Sequence, residues 1–244
     1  MTTILRTESL TKRFGGILAV DTCSISVDKG SITGLIGPNG SGKTTLFNLI
    51  TNVYKQDAGE VFLNEKQVSK VAGHKLCHMG LSRTFQITRL FWDLSVLENM
   101  IVPVRQVGFR SLLGPGMFRE EEERAMALLK RVGLEFLKDE PARKLSFGQQ
   151  KLLELAAVLM SDPDIVLLDE PAGGVNPSMI RFIMDLIRSL NDDGVTFLVV
   201  EHNMGVVMEL CDYILVLDQG QKIAEGTPNI IREDPVVLEA YLGN

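Results

Sequence analysis

Nine residues, GPNGSGKTT at positions 37–45, constrain this chain more tightly than any other stretch. They follow a short apolar run, SITGLIG, and open the helical pattern of residues 44–53, so the local order is strand, turn, helix. Gly37, Gly42, Lys43 and Thr44 stand in register, with Pro38, Asn39, Gly40, Ser41 and Thr45 completing the loop. Glycines here let backbone N–H groups close around β- and γ-phosphates at a helix N-terminus. Lys43 adds a cation, and the Thr44 hydroxyl is a hard oxygen ligand for Mg2+. The expectation is a nucleoside triphosphate site.

The rest of the chain is arranged around this unit. Three β-rich runs, TILRTESLTKRF, ILAVDTCSISV and GEVFLNEKQV, read as a small antiparallel layer. From residue 86 to 160 the strand signals vanish and helical stretches dominate, SVLENMIV and FREEEERAMALLKRVGL. The second places Phe118, Ala125, Leu128, Leu129 and Val132 on one face, and its acids 120–123 are expected at the helix start, near the positive end of the dipole. After Pro163, the runs IVLLDE, TFLVVEH and YILVLD alternate with amphipathic helices over 177–190 and 204–211. Near-continuous apolar strands of this kind are buried on both faces of a parallel sheet. The expected class is α/β: a P-loop NTPase core with a mostly parallel sheet, an N-terminal antiparallel β subdomain and an inserted α-helical subdomain. All 244 residues are expected to form one unit, with the core from about 1–85 and 161–244 and the helical part from about 86–160.

Charge and composition exclude other classes. The 25 Lys+Arg against 31 Asp+Glu leave a net charge of −6, which supplies no general attraction to nucleic acid or anionic lipid. Ser161, Asp162, Pro163 and Asp164 cut the apolar stretches well before the roughly 20 residues a membrane span needs. The N-terminus scatters charge and lacks the apolar core of a secretory signal, so a cytoplasmic protein is expected. Cys23, Cys77 and Cys211 are far apart, with no close Cys/His pair, and read as buried free thiols in a reducing cytosol.

IVLLDE ends in two carboxylates at the C-terminal edge of a strand, where open α/β sheets bind ligands. Asp169 is the expected Mg2+ ligand, through water, and Glu170 is placed to orient or deprotonate an attacking water. TFLVVEH ends in His202 at the same edge, positioned to bond the γ-phosphate. In LSFGQQ, Ser146 reads as a helix N-cap and Gly148 as a close-approach position, together a second anion-binding terminus. One nucleotide already has such a site in this chain. Ser146, Gly148 and Gln149 are therefore expected to close over a nucleotide held by another copy, in a head-to-tail dimer.

The P-loop, the isolated Gln86 of RTFQ, LSFGQQ, IVLLDEP and the His202 of VVEH stand in the order found in the ATP-binding subunits of ABC transporters. The chain resembles that family over essentially its whole length. The resemblance implies ATP with Mg2+, Glu170, His202 and Gln86 as catalytic residues, and Phe14 of KRFGG as the aromatic on which adenine stacks. It also implies that Gln86 touches Mg2+ or the lytic water and links the nucleotide to membrane subunits. Three positions depart from the family pattern: Phe14 where Tyr is commoner, Phe147 where glycine is usual, and Asn176 in PAGGVNP where many relatives place Asp.

SRTFQITRLFWDLSVLENM, the insert 102–117, PAGGVNP and the closing EAYLG are similar to the branched-chain (hydrophobic) amino acid uptake branch, with urea or amide uptake cassettes as alternatives. That branch implies a peripheral subunit on the inner face of the cell membrane. Its partners would be permease transmembrane subunits, a second ATP-binding subunit, identical or a sister, and indirectly a solute-binding protein. No nucleic acid partner and no regulatory domain appended after Asn244 are expected. A soluble ABC ATPase acting on nucleic acid or ribosomes would be marked by a coiled-coil insertion or a tandem cassette. A P-loop kinase or GTPase would leave LSFGQQ an ordinary helix cap, and the GTPase would carry an NKxD-type motif. The sequence shows no such insertion, tandem cassette or NKxD motif. Leu90, Phe91, Trp92 and Leu94 form an apolar cluster that is either core of the helical part or a groove for a helix of a membrane subunit.

Overall fold

The computed structural model describes residues 2–84, 90–102 and 116–242; Gln86 and most of the insert 102–117 lie outside them. In chain order the elements are β1 (Thr3–Phe14), β2 (Ile17–Cys23), β3 (Ser26–Asp28), β4 (Ile32–Ile36), α1 (Lys43–Ile50), β5 (Ala58–Leu63), β6 (Lys66–Gln67), α2 (Gly73–Cys77), β7 (Leu81–Arg83), α3 (Val96–Ile101), α4 (Gly116–Arg131), α5 (Phe147–Leu159), β8 (Ile165–Asp169), α6 (Pro177–Asp192), β9 (Thr196–Val200), α7 (Met204–Leu210), β10 (Tyr213–Asp218), β11 (Gln221–Gly226), α8 (Pro228–Glu233) and α9 (Pro235–Leu242).

Two sheets follow from this order. One is antiparallel, β2-β1-β5-β6 with β3 also on β1; the other runs β11-β10-β4-β9-β8-β7 and is parallel except for the β10/β11 hairpin. The central strands are buried on both faces, and their pleat sorts side chains by parity. Val166 and Leu168 of β8, Phe197 and Val199 of β9, and Ile214 and Val216 of β10 face the helices α3 to α9. Leu167, Leu198, Val200, Leu215 and Leu217 face α1 and the antiparallel sheet. Helix α1 is thus clamped between two sheets, with Leu46, Phe47, Leu49 and Ile50 fully buried. In β4 a Cβ on Gly34 would meet Cys211 Sγ at 3.0 Å, so glycine there lets the end of α7 approach the sheet.

Several expectations change. ILAVDTCSISV forms two strands rather than one: Thr22 takes a positive φ of 47°, the chain bends, and β2 and β3 pair with different halves of β1. Strands β7 and β11 carry too little apolar sequence to announce themselves, and each lies at an edge of the central sheet. The acids 120–123 sit past the first turn of α4, which holds no acid, so they do not cap that helix; Arg119 pairs with Glu123 instead. Cys23 and Cys211 are buried free thiols, pushed up by burial to about 11 and about 12, and Cys77 is half-buried.

Phe197 is wholly buried at the centre of the parallel sheet. Phe197→Ala is expected to cost about 3–5 kcal/mol, read as a lower urea midpoint at unchanged m-value. A shift under ~1 kcal/mol would contradict the packing described.

Candidate nucleotide-binding site

The cradle forms where β4 stops. Gly37 has φ +150°, and a Cβ on it would lie 2.0 Å from the Leu217 carbonyl oxygen; Gly42, φ +103°, would place one 2.5 Å from the Ala19 carbonyl oxygen. Glycine alone fits both positions. Gly42 is also the N-cap of α1, so the free amides of the first helical turn face the loop. The β10/β11 turn braces it: Gly220 N–H donates to the Ser41 carbonyl, and its own carbonyl accepts from Asp21 N–H, each at 2.9 Å. Lys43 Nζ donates to the carbonyls of Gly37 at 2.8 Å and Pro38 at 2.9 Å, and to Ser41 Oγ at 3.3 Å. Burial holds the Lys43 ammonium below the ordinary lysine pKa, and the acids Glu170 and Asp169 pull it back up. The loop opens on a cleft of about 790 Å³ lined by Asn39, Gly40, Gly42, Lys43, Thr44 and Thr45, with Glu170 and His202 also on its wall.

Strands β8 and β9 end at the same edge as β4; Glu170 and His202 enter the cleft lining, whereas Asp169 does not and borders a small separate cavity with Thr84 and Lys151. Asp169 is 2% exposed; its Oδ2 accepts from Arg83 Nη2 at 2.9 Å, and its Oδ1 is buried with no hydrogen-bond partner. A buried carboxylate oxygen with unused lone pairs, together with the exposed Thr44 hydroxyl, is a donor set that fits Mg2+. Glu170 follows with φ +53°, in a region that costs a non-glycine residue about 1–3 kcal/mol. Its N–H donates to Val200 O at 2.9 Å, and its Oε1 lies 2.5 Å from His202 Nε2. An ionised carboxylate only accepts, so Nε2 carries the proton in this contact.

Three residues of this region were not picked out from sequence. Arg83, at the end of β7, donates to Asn48 Oδ1 at 2.6 Å and Thr51 Oγ1 at 3.3 Å as well as to Asp169. Lys151 Nζ donates to the main-chain carbonyl of Glu170 at 2.5 Å. Glu201 is 3% exposed and accepts from Ala172 N–H at 2.6 Å and His202 N–H at 3.2 Å. Burial pushes Glu201 above the usual carboxylate range, opposed by those amides, that of Asn203 and the Lys151 ammonium. Burial likewise lowers Lys151, opposed first by Glu201. A lone charge beside an apolar run was the only sequence signal for any of the three.

The remaining expected residues fall in separate places. Ser146 caps α5 in a reciprocal capping box with Gln149: Ser146 Oγ accepts from Gln149 N–H at 3.4 Å, and Gln149 Oε1 accepts from Ser146 N–H at 2.9 Å. Both contacts use acceptors, so the serine O–H and the glutamine NH2 are left to donate. Ser146, Gly148 and Gln149 do not line the cleft of their own chain. Phe147 lies against Gly174 in the loop after Glu170, and Asn176 caps α6 by accepting from Met179 N–H at 2.9 Å. Two of the departures from the family pattern, Phe147 and Asn176, thus bear on the same loop and helix start. Phe14 packs edge-on against Tyr54, ring centroids 5.2 Å apart, and lies beside the cleft rather than in its lining. Gln86 falls outside the described residues. The apolar cluster divides: Leu90 enters the core, Leu94 is partly buried, and Phe91 and Trp92 are exposed. Phe91 lines a mainly apolar groove of about 560 Å³ between α1, α2, β7 and α5.

The ABC transporter family model matches residues 20–173, and a model for branched-chain amino acid ATP-binding cassette transporters matches residues 221–244. The high-affinity branched-chain amino acid transport ATP-binding protein LivG of Salmonella typhimurium is 41% identical, over 98% of each chain. A nucleotide-free ATP-binding cassette from an ABC transporter superposes with a TM-score of 0.89 at 37% identity, over 100% of both chains. A dimeric, post-hydrolysis cassette bound to ADP and Pi gives 0.81 at 28% identity, over 92% of this chain and 99% of that one.

Arg83 and Asp169 are both buried, so removing one charge strands the other. Arg83→Met is expected to destabilise the chain by about 3–5 kcal/mol in urea titration, with Asp169→Asn in the same background recovering part of the loss. Additive losses in the double variant would contradict the pairing.

Proposed function

This chain belongs to the ABC transporter family, and on that footing we propose that it binds and hydrolyses ATP to energise a membrane importer for branched-chain or other hydrophobic amino acids. The observation that carries the reading is the meeting of the Gly37–Thr45 cradle, Glu170 and His202 around one cleft at the carboxyl edge of a parallel sheet. We take the whole chain as one nucleotide-binding unit, with 86–160 as its helical part.

The chemistry asks mainly for placement and charge. The phosphate chain enters against the amides at the start of α1, and Lys43 exchanges its carbonyl partners in the loop for phosphate oxygens. Thr44 and Asp169, with Gln86 as the third group assigned to it, would hold Mg2+, which would supply positive charge to offset that of the phosphates. Phe14 supplies the ring for adenine. Glu170 orients a water in line with the γ-phosphate and accepts its proton. His202 now bonds the Glu170 carboxylate. The γ-phosphate offers its N–H a second acceptor, and the exchange frees the carboxylate for water.

Ser146, Gly148 and Gln149, which lie outside the lining of their own cleft, close over the nucleotide of a second cassette, which is either a copy or a sister chain. The groove holding Phe91 receives a short helix of a permease subunit. Among the described residues no helix is long and apolar enough to cross a membrane. Attachment to the inner face of the membrane is assigned to that groove. A solute-binding protein meets the permease rather than this chain.

Glu170→Gln removes the base and leaves the cradle, so gel filtration with ATP should give a dimer; a monomer at saturating ATP contradicts the proposal. Lys43→Ala should weaken ATP binding at least about 30-fold in titration calorimetry, and retained tight binding would sink the phosphate role.

A further inference from the structure

Glu170 is held in its positive-φ conformation by groups from outside its own strand. Its carbonyl oxygen accepts from Gly173 N–H at 3.1 Å and from Lys151 Nζ at 2.5 Å. Lys151 is five residues beyond the Ser146 cap, about 7–8 Å along α5 at the usual helical rise, and its ammonium also lies over the Phe147 ring, 5.4 Å from the centroid. Glu201 fixes the other side. One of its oxygens takes the amide of Ala172, two residues after Glu170, and the other takes the amide of His202.

We propose that Lys151 and Glu201 are positioning residues for hydrolysis: together they clamp the backbone of Glu170 and of His202 so that the two side chains meet at the cleft. The proposal rests on the roles given above to Glu170 and His202. Neither residue lines the cleft, so each acts through the backbone it holds. The same contact joins two sites. Helix α5 carries at its N-terminus the residues assigned to the partner's nucleotide and, further along, the lysine that grips this protomer's Glu170. Any shift of α5 on closing the dimer therefore reaches Glu170 through one ammonium. Phe147 gives the lysine stem and head a fixed seat, a role that glycine at that position could not fill.

The test compares Lys151→Met, Lys151→Arg and Glu201→Gln in the full chain. Displacing a catalytic carboxylate by an ångström or less costs rate rather than nucleotide affinity, so Lys151→Met should lower kcat about 10- to 100-fold with KM for ATP nearly unchanged. Lys151→Arg, which can still donate to the carbonyl, should recover most of that rate. Glu201→Gln keeps one acceptor oxygen and loses the other, and should also lower kcat. The chain has three histidines, His74, His78 and His202, so ring NMR signals give a second readout independent of turnover. In Lys151→Met the His202 signals should move while those of His74 and His78 stay. Unmoved His202 signals, an unchanged kcat, or parallel loss of ATP binding with all three histidines disturbed would each overturn the proposal. A native chain without ATPase activity would count against the hydrolytic reading instead, and the His202 signals would still decide the clamp.

Discussion

A parallel sheet ends its strands at one edge, and the cradle, Glu170 and His202 meet at one cleft because of that alignment. Strands β4, β8 and β9 pair in parallel register, so the loop after Ile36, the acids after Leu168 and the histidine after Glu201 emerge side by side. The cleft needs no long-range search by flexible side chains. It needs a backbone that can turn sharply at Gly37 and Gly42, where neighbouring carbonyls leave no space for a Cβ.

The cost of that arrangement is concentrated charge in a dry place. Lys43, Asp169 and Glu201 are buried, and each is offset differently: Lys43 by loop carbonyls, Asp169 by Arg83, Glu201 by amides and the nearby Lys151. Buried charges of this kind hold one geometry because any other leaves them unpaired. The oxygen Oδ1 of Asp169 is the exception: it is buried with no hydrogen-bond partner. Strain at Glu170 persists for a similar reason: bonds from β9, from α5 and from its own loop over-determine it.

Sequence carried the parts of this design that are local. The P-loop, Asp169, Glu170, His202 and the Ser146 cap each sit at a strand end or helix start that a few neighbouring residues specify. Arg83, Lys151 and Glu201 were hidden because their meaning lies in partners 86, 19 and 29 residues away, contacts that only tertiary packing creates. Strand β11, QKIAEG, was hidden for another reason: an edge strand half open to solvent has no need of an apolar run. The cluster from Leu90 to Leu94 could not be assigned from composition, since apolar character is shared by core and groove; exposure separates Leu90 from Phe91.

The most direct test is to purify the intact chain from its own membranes in mild detergent, identify what comes with it and assay ATP hydrolysis in the recovered material. Recovery with permease transmembrane subunits and a second cassette, with ATPase activity, is the predicted result. Recovery as a chain free of membrane partners, bound to nucleic acid or ribosomes, would keep the ATP site but contradict the transport function.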